Sequence, residues 1–465
     1  MRSASLVPAR RSILAPDVPL LAALYVLEGS ALLLVIAAQH RGSRSFTILS
    51  VIGGLALLGA ATAIVLRYRT RIRHDPRRLA FTVVLNLVPV LLILATAELT
   101  VRLLARPTPR GPVVMDTHLL PWRWSDVVAH NEALLARAAR EGSYVVADEV
   151  LGWVIGPNRR STDGLYFSSA EGLRSPAPGI AFRERAAPRR VALVGDSFTF
   201  GLEVSYADSW GHQLERALGP DVQVLNFGVD GYGVDQAFLR YGRDVRPWRP
   251  DVVILGLINH DLFRSMAVYS FVSFPGWPFP FAKPRFVVDG DRLTLLNMPL
   301  PSPHAIVAAR SIRELPFIEY DPGYRAEDWK WHALDASYLY RLLVSRARVW
   351  REPDARRTDE RVLALNRAIV RGFVRQAQAE GTRPLLVYFP SDRDFRLRAD
   401  DPGWQSLAQT SLRASGVPYT DVTPCLAKEN PARLFGPGHY SPHGNAAVAA
   451  CLHKAVQALL SASTS

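Results

Sequence analysis

The stretch VALVGDSFTFGLEV, residues 191–204, decides how the rest of the chain is read. Four apolar residues run into Gly195, Asp196 and Ser197, so a segment of buried-strand type ends on a small acid and a hydroxyl. Two readings compete. Asp196 and Ser197 can cap a following helix, because their side-chain oxygens accept its orphan N–H groups. Alternatively, Ser197 is a nucleophile displayed where a parallel sheet opens at its carboxyl edge.

Outward from that stretch a repeating order appears. Helical spacing over 209–218 leads to a strand over 222–229, a helix over 234–245 and a strand over 251–258 (DVVILGLI). The order resumes with a long helix over 359–380, the strand PLLVYF at 384–389, a helix over 404–414, the strand PYTDV at 418–422 and a last helix over 444–460. Strands alternating with helices predict an α/β domain, a parallel sheet with helices on both faces. Between 266 and 351 the rhythm breaks. SFPGWPFPFAKP (273–284) is rich in proline and aromatics, and FVVDGDRLTLL (286–296) reads as a hairpin around Asp-Gly. An insertion there suits a substrate-binding wall, with a structural patch or a membrane or partner contact as alternatives.

The amino-terminal part is different. Three apolar runs, 18–38, 46–66 and 79–105, are each about 20 residues or longer, enough to cross a hydrocarbon core of about 30 Å as a helix. The net charge is +13, which raises nucleic acid as a partner. Residues 1–110, however, hold 14 arginines and only four acids, so the remaining 355 residues are nearly neutral. That distribution removes the main support for nucleic-acid binding and favours a membrane. The connection RYRTRIRHDPRR (67–78) carries six arginines and is expected inside the cell, which puts the N-terminus inside and everything after about Arg106 outside. The protein is thus expected to be a multi-pass membrane protein with residues 1–110 as anchor, 111–190 as connection and 191–465 as an extracytoplasmic domain. Glu98 stands four residues before Arg102, the spacing of a helical ion pair. Of the two cysteines, Cys425 and Cys451, each could be a free buried thiol, and outside the cytosol they could form one disulfide.

Acyl transfer through serine needs a nucleophile, a base and donors for the oxyanion. Candidates stand at successive strand ends. Ser197 follows the first strand, and LNFGVDGYG follows the second with Asn226, Gly228, Gly231 and Gly233. INHDLFR follows the third with Asn259, His260 and Asp261, and GPGHYSPHGNAAVA places His439 just before a helix. No Cys–His spacing suggests a metal, and no glycine-rich phosphate loop suggests a nucleotide cofactor, so none is expected. His212 and His443 read as packing or surface residues.

These blocks resemble the SGNH hydrolase superfamily, the GDSL-type esterases and their relatives. GDSF at 195–198, NFGVDG at 226–231, INHD at 258–261 and HYSPHGN at 439–445 occur in order across roughly residues 145–460. The resemblance implies a three-layer flavodoxin-like parallel sheet. It also implies Ser197 as nucleophile and His439 as general base, with Ser197 N–H, Gly231 N–H and the Asn259 amide as the oxyanion hole. LGWVIGPN (151–158) and EGLRSP (171–176) resemble an element ahead of GDSF in membrane-tethered members linked to cell-surface polysaccharides.

Two departures stand out. Family members carry an Asp two or three residues before the catalytic His to hold its tautomer. Here Pro437 and Gly436 occupy those positions, so a backbone carbonyl or one of Asp421, Asp392 and Asp394 is expected to orient His439. His260 also separates Asn259 from Asp261, so Asp261 is the alternative to Asn259 for the expected position. Three functions follow as expectations: an extracytoplasmic esterase removing acyl, notably acetyl, groups from a cell-envelope glycan or similar ester; an O-acyltransferase to a glycan hydroxyl with the same residues; or a degenerate glycan-binding scaffold.

Overall fold

A computed structural model describes residues 17–39, 44–72, 76–185, 187–274, 279–289, 292–351 and 360–462. Parts of the two expected inter-span loops (40–43 and 73–75), the aromatic-proline segment 275–278 and the Gly290–Asp291 turn lie outside those residues. The chain divides into two compact units, residues 1–123 with 326–353, and residues 124–325 with 354–465. The region over 266–351, expected to be one insertion, is therefore shared between them.

The larger unit is built on a five-stranded parallel sheet. Its strands are β1 (Arg189–Val194), β2 (Val222–Asn226), β3 (Val252–Leu257), β4 (Arg383–Tyr388) and β5 (Tyr419–Asp421), in spatial order β2-β1-β3-β4-β5. This is the flavodoxin-like order, with the chain reversing direction across the sheet between β1 and β3. The side-chain period of two sorts the strands onto two cores. Val191, Leu193, Val252 and Ile254 face one; Ala192, Val194, Val253, Leu255 and Leu257 face the other. Helices cover both faces, so VVILGL in β3 is buried throughout and reads as an unbroken apolar run rather than an alternation.

The helix Glu360–Ala379 shows why those residues fold as they do. Val362, Leu365, Ile369, Val370, Phe373 and Ala377 recur every three or four positions and are buried on one stripe. Full burial of a side chain such as Phe373 contributes about 2–3 kcal/mol. On the opposite face Trp210–Leu218 packs with Pro442–Ser461, the helix that His439 precedes. Cys425 and Cys451 are joined in a disulfide, the bonded alternative of the two expected from sequence.

Ahead of the sheet lie two antiparallel pairs, Val145–Asp148 with Gly152–Ile155 and Phe167–Ser168 with Arg174–Ser175. After β3, Phe286–Asp289 pairs antiparallel with Arg292–Leu295, the hairpin expected around Asp-Gly.

In the smaller unit, helices α1 (Val18–Gln39), α2 (Arg44–Ile72) and α3 (Pro76–Leu104) take the places of the three expected spans. Among the described residues, only α3 is long and apolar enough to cross a membrane; α1 and α2 carry the shorter apolar stretches Val18–Ala31 and Val51–Arg67. Three membrane-crossing helices, as expected from the sequence, are thus not shown among the described residues. The apolar stretch of α2 ends at Arg67, and its last turn includes Arg69 and Arg71 of the basic connection. The Glu98–Arg102 pair forms at 2.6 Å. Glu98 also accepts from the N–H groups of Tyr338 and Leu339 (2.9 and 2.8 Å) and the Ser337 hydroxyl (2.8 Å), so it caps the helix Tyr338–Arg351.

Candidate active site

The turn after β1 resolves the two readings of its sequence. Asp196 is the N-cap of a short helix, Ser197–Phe200, and its carboxylate accepts the Phe198 N–H at 2.9 Å. The capping task thus falls to Asp196, and the Ser197 hydroxyl is left to face another partner. Gly195 makes the turn possible. Its φ is +152°, and a Cβ there would meet Thr199 Oγ1 at 2.2 Å and the Gly256 carbonyl oxygen at 2.5 Å.

Ser197 Oγ lies 2.9 Å from His439 Nε2, although 242 residues separate them in sequence. His439 Nδ1 lies 2.9 Å from Glu203 Oε1. An ionised carboxylate can only accept, so Nδ1 carries the proton and Nε2 is left to accept from the serine hydroxyl. Glu203 Oε2 accepts the N–H groups of Gly438 and His439 at 3.2 and 3.3 Å. Burial opposes ionisation of Glu203, but hydrogen bonds from the imidazole and those N–H groups hold its carboxyl below the usual range. Phe198 packs beside the imidazole, with ring centres 5.0 Å apart.

The acid at Nδ1 is therefore Glu203, and none of Asp421, Asp392 or Asp394 takes that position. Asp421 accepts from Gln409 Nε2 and the Thr423 N–H; Asp394 accepts from the Tyr388 hydroxyl; Asp392 pairs with Arg396. Each is committed to a partner other than His439. The signal for Glu203 lay in the opening stretch itself, in GLEV directly after the serine block, but a family pattern that expects the acid beside the histidine directs attention away from it.

The remaining candidates fall as follows. Gly231 has φ +81°; burial pushes the neighbouring Asp230 carboxyl up, while Arg264, His439 and the Gly231 N–H oppose the rise. Asn259 opens the helix Asn259–Arg264, and its Oδ1 accepts the Ala408 N–H at 3.1 Å. His260 follows on the same helix, its basicity lowered by burial and by Arg264. Asp261 accepts the Ile258 N–H and, with Asp196, flanks the buried Arg264 guanidinium at 2.8 and 3.2 Å. Burial and the neighbouring Asp196 push the Asp261 carboxyl well up. His443 pairs with Glu429, and His212 packs against Tyr206.

Ser197 is 1% exposed and the His439 side chain 18% exposed, so the serine is the more deeply buried of the two. The loop that carries Gly231 is tied to the first antiparallel pair: Trp153 Nε1 donates to the Asp230 carbonyl at 2.9 Å, and the Tyr232 hydroxyl donates to the Trp153 carbonyl at 2.6 Å.

No protein-family model and no curated protein matches the chain. Among solved structures, a lipase/acylhydrolase from Enterococcus faecalis is 14% identical over 58% of this chain and 96% of its own, with a TM-score of 0.30. A catalytic mutant of an acetylxylan esterase from Geobacillus stearothermophilus is 13% identical over 58% and 94%, also at 0.30. A protein described as a lipolytic member of the G-D-S-L family from Desulfitobacterium hafniense is 14% identical over 57% and 98%, again at 0.30. Identity and score this low leave the chemistry to the atoms of the site itself.

Proposed function

We propose that this chain is a membrane-anchored serine esterase of the SGNH type, removing small acyl groups, acetyl foremost, from an extracytoplasmic glycan or similar ester. The observation that carries the reading is the line Ser197 Oγ–His439 Nε2–His439 Nδ1–Glu203 Oε1, with 2.9 Å at each hydrogen bond. A nucleophile, a base and an acid that fixes the tautomer of the base are what acyl transfer needs, and a glycan-binding scaffold would have no use for them.

In this reading Ser197 Oγ attacks the ester carbonyl as its proton passes to His439 Nε2. The oxyanion is received by the N–H groups of Ser197 and Gly231 and by the Asn259 side chain. His439 gives its proton to the departing alcohol. Water, deprotonated by the same nitrogen, then attacks the acyl-serine and releases the acid. The burial of Ser197 favours a small acyl group. The apolar α3, the arginine-rich connection and the disulfide support a membrane anchor with the larger unit in an oxidising, extracytoplasmic compartment.

The test is hydrolysis of an aryl acetate by the full chain and by Ser197→Ala. Loss of activity and of fluorophosphonate labelling in the variant is expected; an unchanged rate overturns the mechanism. With a labelled acetyl donor and a glycan acceptor present, release of free acetate supports hydrolysis. Acetylated acceptor would instead assign the same residues to an O-acyltransferase.

A further inference from the structure

The acid of this site sits on a backbone that needs holding. Glu203 has φ +71°, in the left-handed region that non-glycine residues rarely adopt. Such conformations persist where surrounding contacts over-determine them. The contacts here come from the second antiparallel pair ahead of the sheet. Arg174, 1% exposed, donates through Nη1 to the carbonyls of Phe200 (2.7 Å) and Gly201 (2.5 Å) and through Nη2 to that of Val204 (2.5 Å). Those three carbonyls bracket Glu203 on both sides. Between them, the Glu203 N–H donates to the Tyr166 hydroxyl oxygen at 2.8 Å.

The two side chains also brace each other. The Arg174 guanidinium lies 4.3 Å from the Phe200 ring centre and 5.1 Å from that of Tyr166, and the two rings meet edge-on at 5.1 Å. Burial lowers the Arg174 pKa to about 10, so it is still a cation at neutral pH. A planar fork with several donors can serve three carbonyls at once; a lysine ammonium on a flexible stem cannot reproduce that arrangement.

We propose that Arg174 and Tyr166 are positioning residues for the Glu203 carboxylate, fixing the loop from which it meets His439; this rests on the esterase reading above. Neither touches the reacting atoms. Their effect on catalysis runs through the acid, and this separates them from residues that merely hold the fold.

The experiment uses aryl acetate kinetics of the full chain with Tyr166→Phe, Arg174→Lys, Glu203→Ala and the double variant Tyr166→Phe/Glu203→Ala. Tyr166→Phe removes one hydroxyl and is expected to lower kcat about 5–10-fold with KM unchanged, the loss of roughly one hydrogen bond. Arg174→Lys is expected to lower kcat further at unchanged KM. In the Glu203→Ala background, adding Tyr166→Phe is expected to cost nothing more, because the group it positions is gone. The proposal is overturned if Tyr166→Phe matches the wild type, or if its loss multiplies onto that of Glu203→Ala. Tyr166→Phe decides the matter even if Arg174→Lys does not fold. If Ser197→Ala and Glu203→Ala themselves leave the rate intact, the esterase reading fails. If Ser197→Ala abolishes it and Glu203→Ala lowers it while Tyr166→Phe matches the wild type, the positioning role alone fails.

Discussion

Glu203 Oε1 stands 2.9 Å from His439 Nδ1, bringing to the imidazole an acid that follows the nucleophile by six residues and lies 236 from the histidine. Nucleophile and acid thus ride on one turn, and only the histidine arrives from a distant part of the chain. Glu203→Gln keeps the shape but loses the charge that favours the Nδ1–H tautomer. It is expected to lower kcat about 10²–10⁴-fold, whereas Asp392→Asn should leave the rate within about twofold. Steady-state kinetics on an aryl acetate measures both.

The same carboxylate makes stability depend on pH. Its folded pKa is depressed, so its contribution is present above the ordinary glutamate value of about 4.3 and is lost as pH falls through the folded value. Urea unfolding of wild type and Glu203→Gln should show a gap in midpoint at pH 7 that narrows below about pH 4. A gap that widens toward acid would contradict the assigned sign.

Gly195 is predicted to tolerate no side chain. A Cβ would press on Thr199 Oγ1 and on the Gly256 carbonyl, a backbone atom of β3 that cannot swing aside. Gly195→Ala should cost about 3 kcal/mol, and the surviving folded fraction should label poorly with a fluorophosphonate, since the strain falls two residues before Ser197. Chemical denaturation and labelling of one preparation test both halves.

The Cys425–Cys451 bond ties the helix Thr423–Leu426 to Pro442–Ser461 and so closes the loop that contains His439. With the cysteines 26 positions apart, loop-closure entropy makes the bond worth about 3.5 kcal/mol. Replacing both by serine should lower thermal stability by that order. Thiol titration of the denatured chain should find no free thiol before reduction and two after it.

Much of the sheet was legible because its signals are local. The apolar runs of β1 and β3, the helical stripe of Glu360–Ala379 and the order of strand and helix over 191–460 follow from spacing that neighbouring residues set among themselves. The serine turn was legible for the same reason: a strand, a glycine, a cap and a hydroxyl sit within a few residues.

What tertiary structure alone decided concerns groups with no sequence relationship. Which carboxylate reaches His439 depends on a left-handed backbone at Glu203, and that conformation depends on Arg174 and Tyr166, about 30 residues upstream. Whether two cysteines bond depends on two helices meeting, and the division of the 266–351 region depends on which packed unit each half joins. Periodicity carries the element and the face it buries. Side-chain geometry between distant elements is a property of packing, and it exists only once the chain has closed on itself.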